Sequence, residues 1–441
     1  MASSGRIRLF PLVLLLLVLA AGVGGYMLFW DRTAPVAELA PLTVYVSKNM
    51  EFTAKAEDTK SGVRSMAVRV TAGGESWDIA SQVFPSKPQS AELPFSLEAL
   101  PLTDGEIEIE VTAVDGSYAG FGAGNTVVIS RSHTLDTQPP RIGITSGAMN
   151  VTRGGSGAVS FSLNEEPALV GVRAGDYFFP AYKQENGNWS CIFGFPYTMD
   201  TADYKPLLIA TDPAGNESVV TLGVNARARQ FKEDTINLPQ SFLDNKMPEF
   251  AQDFPDKSGN LEIFLAVNSE MRTANRASLI EIGQKKTSPT PLWKGDFLRM
   301  PGATMAGFAE RRSYIYEGQT VDEQTHLGVD IASTQRADVP SANNGIVIYT
   351  GNMGIYGNCV IVDHGLGLMT LYAHLSEIGV DTNAEVARGQ ILGKTGVTGL
   401  AGGDHLHFGV LVSGLPVTPI EWWDAHWIRN NVGDRLPGVM E

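Results

Sequence analysis

From Leu42 onward the chain keeps returning to one pattern: short runs that alternate apolar and polar residues and end at Gly, Asn or Pro. A period of two sends alternate side chains to opposite faces, which suits a strand and not a helix. Residues 33–135 carry it in "LTVYVS", "RSMAVRV", "EIEIEVTAV" and "NTVVIS"; residues 138–226 carry it in "AVSFSL", "LVGVRA", "PLLIATD" and "VVTLGV". The two segments are alike in another way. Each opens on a Pro-containing entry, "DRTAPVAEL" and "DTQPPRIGI", and each closes on strand, Asp, Gly-containing turn and strand. Short strands at regular spacing predict sandwiches. The expected fold class is therefore mainly β, opening with two β-sandwich modules of immunoglobulin-like type. Neither module has His, Cys or paired carboxylates at a chemical spacing, so both read as spacers or binding modules.

Ahead of them lies "LFPLVLLLLVLAAGVGGYMLFW", residues 9–30, without a charge. About 20 apolar residues cross a bilayer as a helix. Arg6 and Arg8 precede the run. They predict a transmembrane helix with residues 1–8 in the cytoplasm and the bulk of the chain exported. A cleaved signal peptide is the alternative, but an apolar "YMLFW" follows the small residues of "LAAG", which is long for a signal sequence. The expected location is the inner membrane, single-pass, facing the periplasm. The net charge of −15 argues against nucleic acid as a partner. Cys191 and Cys359 read as two unpaired thiols.

Residues 227–300 change character. "LPQSFLDNKMPEFAQDF" and "NSEMRTANRASLIEIGQ" place apolar residues at helical spacing and predict a small helical linker. From about residue 301 the chain becomes glycine-rich and returns to strands. Six of its seven histidines lie there: His326, His364, His374, His405, His407 and His426.

That concentration needs a reason. His326 and Asp330 are four apart, beside Gly328, Val329 and Ile331, in what reads as a strand or extended loop. An even spacing in a strand puts both on one side. His405 and His407, two apart in "GDHLHFG", share a face only in a strand, with Leu406 turned the other way. In "LMTLYAHL", Thr370, Tyr372 and His374 share a face, and Met369, Leu371 and Leu375 take the other. Imidazole and carboxylate in this number suit one Zn²⁺ ion, which at a catalytic site takes three protein ligands and keeps a fourth position open. Two histidines are then left over to hold or move protons near neutral pH. Spacing does not say which histidines would bind the metal.

Residues 310–422 resemble the lysostaphin-like (LytM-type) zinc metallopeptidases, which hydrolyse peptide bonds in peptidoglycan. The resemblance rests on His326-Leu-Gly-Val-Asp330, "GNCVIVDHGLGLMTLYAHL", "NAEVARGQILGKTGVTG", His405-Leu406-His407 and "GLPVTPIEWW". It implies an antiparallel β-sheet peptidase domain over 301–430, with His326, Asp330 and His407 as zinc ligands. It also implies that His374 and His405 are the catalytic pair that does not bind metal. Tyr356, beside the Gly-Asn turn, is the candidate to touch substrate, while His364 reads as structural and His426 as a surface or packing residue. The chain departs from many relatives at Ala401-Gly402-Gly403, where they carry Ser-Thr-Gly; this removes no ligand. The expected function is a membrane-anchored zinc endopeptidase acting on peptidoglycan peptides. A catalytically inactive activator or scaffold for other wall hydrolases is the alternative, and the presence of all five site residues argues against it. An unrestrained wall hydrolase would be harmful, so the helical segment or a sandwich is a candidate to block the groove until a regulatory protein partner arrives.

Overall fold

A computed structural model describes residues 9–285, 287–436 and 438–440. Residues 1–8, expected in the cytoplasm, lie outside the described residues. The uncharged run folds as one helix, Leu9–Phe29. Its side chains are described over residues 11–26. Among the described residues no helix is long and apolar enough to cross a membrane.

The chain divides into two compact units, residues 1–139 with 211–217, and residues 140–210 with 218–441. In the first unit a three-stranded sheet (Val36–Ala40, Phe52–Glu57, Ser90–Phe95) accompanies a five-stranded one that includes Val63–Ala72, Gly105–Asp115 and Thr126–Leu135. Their inward residues form one closed core around Phe52, Met66, Val68, Leu93 and Val111. The alternation in Gly105–Asp115 is visible in its burial: Ile107, Ile109, Val111 and Ala113 are inside, and Glu106 and Glu108 are exposed. Three carboxylates that looked unrelated in sequence meet here. Asp31, Asp58 and Asp115 are buried, with oxygens within 4.8 Å of one another. Asp58 accepts from the Ser61 and Gly62 N–H groups at 2.6 and 2.8 Å, and Asp115 accepts from the Asn125 N–H at 2.7 Å. They organise loops, and Lys60 stands 3.7 Å from Asp31.

The second unit holds more than a sandwich. Its first part has two four-stranded sheets, built around Ser156–Leu163 with Trp189–Gly194 and around Leu169–Ala174 with Leu207–Thr211. Its last part is an antiparallel sheet of eight strands. The path runs Ala303–Ala306, Val329–Ala332, Leu406–Val412, Leu368–Ala373, Asn358–Gly365, Gly345–Asn352 and Glu385–Val386, and Leu415–Val417 pairs with Leu406–Val412. The predicted antiparallel β-sheet is thus present, and the fold is mostly β.

Both faces of that sheet are covered, so its central strands are apolar at nearly every position. One face carries Val360, Val362, Tyr372, Phe408 and Val410, in a core continuous with Phe179, Phe193 and Phe195 of the preceding sheets and with Trp293, Phe297 and Trp422. The other carries Ile361, Met369, Leu371 and Leu411, covered by Leu243, Phe264 and Leu279. Those three belong to the helical segment, which runs as Gln240–Lys246, a 3₁₀ turn to Phe250, and then Asn260 to Lys285 through a π turn at Val267–Met271. The linker expectation needs correcting at both its ends. Glu233–Asn237 is a strand, paired in parallel with Glu310–Tyr316, and residues 287–300 form neither helix nor strand, with Trp293 and Phe297 buried. Short strand and loop segments of this kind leave no helical periodicity to read.

Candidate active site

The site lies on the sheet face that the helical segment covers. Strand Val329–Ala332 pairs with Leu406–Val412 so that Asp330 is opposite His407, and Leu368–Ala373 pairs so that Ala373 is opposite His407 on the other side. Directly opposed residues share a face. His326 arrives differently from the sequence expectation. It ends a separate strand, Gln319–His326, and the chain turns at Leu327-Gly328 before Asp330. Gly328 makes the turn feasible, since a Cβ there would fall 2.6 Å from His407 Nε2.

Three potential ligand atoms converge. His326 Nε2 is 2.9 Å from Asp330 Oδ1 and 3.0 Å from His407 Nδ1, and His407 Nδ1 is 2.9 Å from the same carboxylate oxygen. All three residues are buried. His326 Nδ1 donates to the Gly307 carbonyl at 2.9 Å, which leaves Nε2 as a lone pair. Two imidazole nitrogens and a carboxylate oxygen therefore face one point, with too few protons to satisfy them all. A cation answers that arrangement. His407 Nε2 is buried with no hydrogen-bond partner, consistent with a ring held by its other nitrogen. The donor set fits zinc. Arg312 Nη2, 3.3 Å from Asp330 Oδ2, fixes the carboxylate from behind.

His374 and His405 stand beside this group, with ring centroids 4.8 Å apart. His374 lies one residue beyond its strand, at φ +64°. A non-glycine residue in this region costs energy and occurs where the surroundings enforce it. The turn also breaks the predicted alternation: Leu375 joins the core containing Tyr372, not the face of Met369 and Leu371. His374 Nδ1 donates to the Thr398 carbonyl at 2.8 Å, and its backbone N–H donates to the Tyr356 carbonyl at 2.8 Å. His405 sits just before its strand, with Nδ1 2.7 Å from the Gly403 carbonyl and Nε2 3.6 Å from Asp330.

The electrostatics separate these groups. Burial lowers the His407 pKa to about 4, and burial followed by the neighbouring His407 and His405 holds His374 well below its ordinary value. Burial also opposes charge on His405, but the bond to Asp330 and that carboxylate's charge outweigh it and raise its pKa. Burial opposes ionisation of Asp330 too, yet the histidines around it, His326 first, hold it well below the carboxylate range.

These side chains line a cavity of about 420 Å³. Tyr356 is in its wall, with its ring centroid 5.6 Å from that of His407. The opposite wall is Leu238, Pro239, Phe242, Phe264 and Arg272 of the 227–300 segment. His364 lies away from the group. Its two nitrogens bond the Asn344 carbonyl and the Thr370 hydroxyl at 2.7 and 2.8 Å. His426 bonds Asn430 on the surface. The site includes residues that were not anticipated, Gly307, Arg312 and Arg272. Arg312 comes from Glu310–Tyr316 and meets Asp330 only across strands; Arg272 comes from a helix, and no local motif marks either.

The model of Peptidase family M23 matches residues 324–419. Over 96 residues the chain is 40% identical to the peptidoglycan DD-endopeptidase ShyA of Vibrio cholerae, covering 22% of each protein. Over 95 residues it is 38% identical to the DD-carboxypeptidase/endopeptidase Mpg of Neisseria meningitidis, again 22% of each. The chain thus spans about a fifth of the length of these curated relatives. Among solved structures, the catalytic domain of lysostaphin from Staphylococcus simulans is 25% identical at a TM-score of 0.24, covering 28% of this chain and 92% of that one. Residues 324–419 of this chain form a domain of peptidase family M23.

Proposed function

We propose that the chain is a membrane-anchored zinc endopeptidase that hydrolyses peptide bonds in peptidoglycan. The observation that carries this reading is the convergence of His326 Nε2, Asp330 Oδ1 and His407 Nδ1 within 3.0 Å, beside two further histidines in one cavity. The relatives named as peptidoglycan endopeptidases support the substrate class. The uncharged sequence of residues 9–30, preceded by Arg6 and Arg8, supports an anchor in the cytoplasmic membrane, with the remaining chain in the periplasm.

His326, Asp330 and His407 would hold Zn²⁺, which when bound supplies Lewis-acid activation of water and positive charge beside the peptide carbonyl. The protein supplies the rest. Gly307 fixes the His326 tautomer, and Arg312 fixes the Asp330 carboxylate. His374, with Nδ1–H committed to Thr398, offers Nε2 as a proton acceptor. His405, with its ring centroid 4.8 Å from that of His374, can donate to the leaving amine. In the hydrolysis the carbonyl carbon gains a bond to water oxygen and loses its bond to nitrogen. The proton released by water passes to histidine and then to that nitrogen. Once an imidazole Nε2 has taken up that proton, its N–H can also stabilise the oxyanion that develops on the carbonyl.

Digestion of purified sacculi by the zinc-loaded full chain tests this. His407→Ala is expected to lose metal and all measurable peptide release. His405→Ala is expected to keep the metal and lose about 10²–10⁴-fold in rate, the usual contribution of a positioned acid or base. A zinc-loaded wild-type protein that releases no peptides across pH would refute the enzyme reading. Carbonate extraction of membranes tests the anchor, since release of the chain into the wash would contradict it.

A further inference from the structure

The cavity wall supplied by the 227–300 segment holds an arginine that forms no ion pair among the described residues. Arg272 follows directly on the π turn Val267–Met271. Such turns leave a backbone carbonyl free of its usual helical partner. Here the Asn268 carbonyl accepts from Arg272 Nε, and the Asn268 side-chain oxygen accepts from Nε and Nη2. Asn268 is fully buried and is itself fixed by a 2.6 Å bond to Asp322. The guanidinium is therefore held in place by neutral groups alone. Among the described residues no carboxylate forms an ion pair with it, although the chain carries 48 acidic residues against 33 basic ones. One turn along the same helix, Arg276 bonds the Thr325 carbonyl and, among the described residues, forms no ion pair; it lines an adjoining pocket with Arg311 and Arg312, where Glu233 and Glu323 also lie. Arg312 is a wall shared by that pocket and the cavity, but it is already paired with Glu310 and Asp330.

A guanidinium carries five N–H donors in a planar fork that matches a carboxylate. Arg272 uses Nε and Nη2 on Asn268, and Nη1 has no partner among the described residues. Arg272 is half-buried, and withdrawing part of such a charge from water without an anion has a cost. Burial, with Arg276 and Arg312 nearby, depresses the Arg272 pKa, the direction expected where positive charge is crowded and unmatched. A substrate carboxylate would match it.

We propose that Arg272, backed by Arg276, is a carboxylate subsite of the candidate active site and selects acidic peptides with a free carboxylate near the scissile bond. This rests on the peptidase reading above. The test uses the zinc-loaded full chain and two synthetic D,D-linked peptides. They differ only in whether the residue that provides the leaving amine keeps its carboxylate free or carries it as a carboxamide. The wild type is expected to prefer the free acid by about 10- to 100-fold in kcat/KM, the range for a hydrogen bond to a charged group. Arg272→Gln is expected to bring the acid-to-amide ratio in kcat/KM down towards 1. Arg272→Lys retains part of the preference, and Arg276→Gln loses a few-fold. Calorimetric titration with uncleaved D-peptide analogues of the same pair gives the selectivity without turnover. Zinc content and denaturation midpoints report whether each variant is folded. If Arg272→Gln does not fold, the acid–amide ratio in the wild type alone decides. Equal kcat/KM for the two peptides in the wild type, or an equal loss on both in Arg272→Gln, would overturn the subsite and leave the peptidase reading standing. Cleavage of neither peptide by the wild type, with binding of neither analogue, would overturn both.

Discussion

In the first β-module the core closes on itself. Phe52 stacks on Phe95 with centroids 5.2 Å apart, and Val68 and Val111 lie inside the same cluster. In the second, Phe179, Phe193 and Phe195 lie in a cluster that continues through Leu415 and Val417 to Trp422. The contact is close: a Cβ on Gly194 would lie 2.6 Å from Leu415 Cδ2. Polar groups cross it too, since the Ser156 N–H donates to Glu421 at 3.0 Å. Two segments with the same strand pattern thus have different duties. One closes its hydrophobic core within itself, while the other is half of the foundation of the peptidase sheet. Alternation sets which residues face inward, but it does not say what the inward face will meet.

Three substitutions probe that difference. The largest effect is expected from Phe193→Ala, fully buried in the shared core. Such a change costs about 3–5 kcal/mol. Because the core is continuous, zinc retention and peptide release should fall in the same temperature range as the unfolding of the second unit. Loss of structure around Phe193 with an intact site would break the comparison. Phe52→Ala in the first unit should cost a similar ~3–5 kcal/mol. Calorimetry should show a lowered transition for that unit, and sacculus digestion at 25 °C should be unchanged; a parallel loss of activity would show that the first module is not self-contained.

The smallest effect concerns Glu421. Burial raises its pKa to about 7, against opposing contributions from the Ser156 N–H and Arg229. A carboxyl with a raised folded pKa stabilises fully below its unfolded value of 4.5, and this is lost as pH rises towards 7. The wild type should therefore lose about 2–3 kcal/mol between pH 4.5 and 8 through this group. Glu421→Gln should remove that slope. Denaturant titrations at pH 5 and pH 8 measure it, and identical slopes in the two proteins would mean that Glu421 does not carry the linkage.

The same contrast governs how far the site could be read in advance. His326, Asp330, His374, His405 and His407 were visible as candidates because their residue types are rare and their spacings suit strands. The three-dimensional reasons are partly different. His326 and Asp330 belong to different strands joined through Gly328, and His374 reaches the cavity because the chain turns to φ +64° past its strand. Arg312 and Arg272 were invisible, since neither has a local pattern that points to Asp330 or the cavity. The Asp31–Asp58–Asp115 group was missed for the same reason, as its members are brought together by separate loops.

By itself the sequence determined what depends on near neighbours: period-two runs that must be strands, a long uncharged N-terminal helix, and a C-terminal segment dense in imidazole. The tertiary structure alone decided what depends on distant ones. Strand register set Asp330 opposite His407, and backbone carbonyls at Gly307 and Thr398 chose which imidazole nitrogens stay free. Packing laid the 227–300 segment across the cavity, with Arg272 in its wall. Alternation is a property of one strand and its two faces. Register, tautomer and covering are properties of contacts between segments far apart in the chain, and only the folded core fixes those.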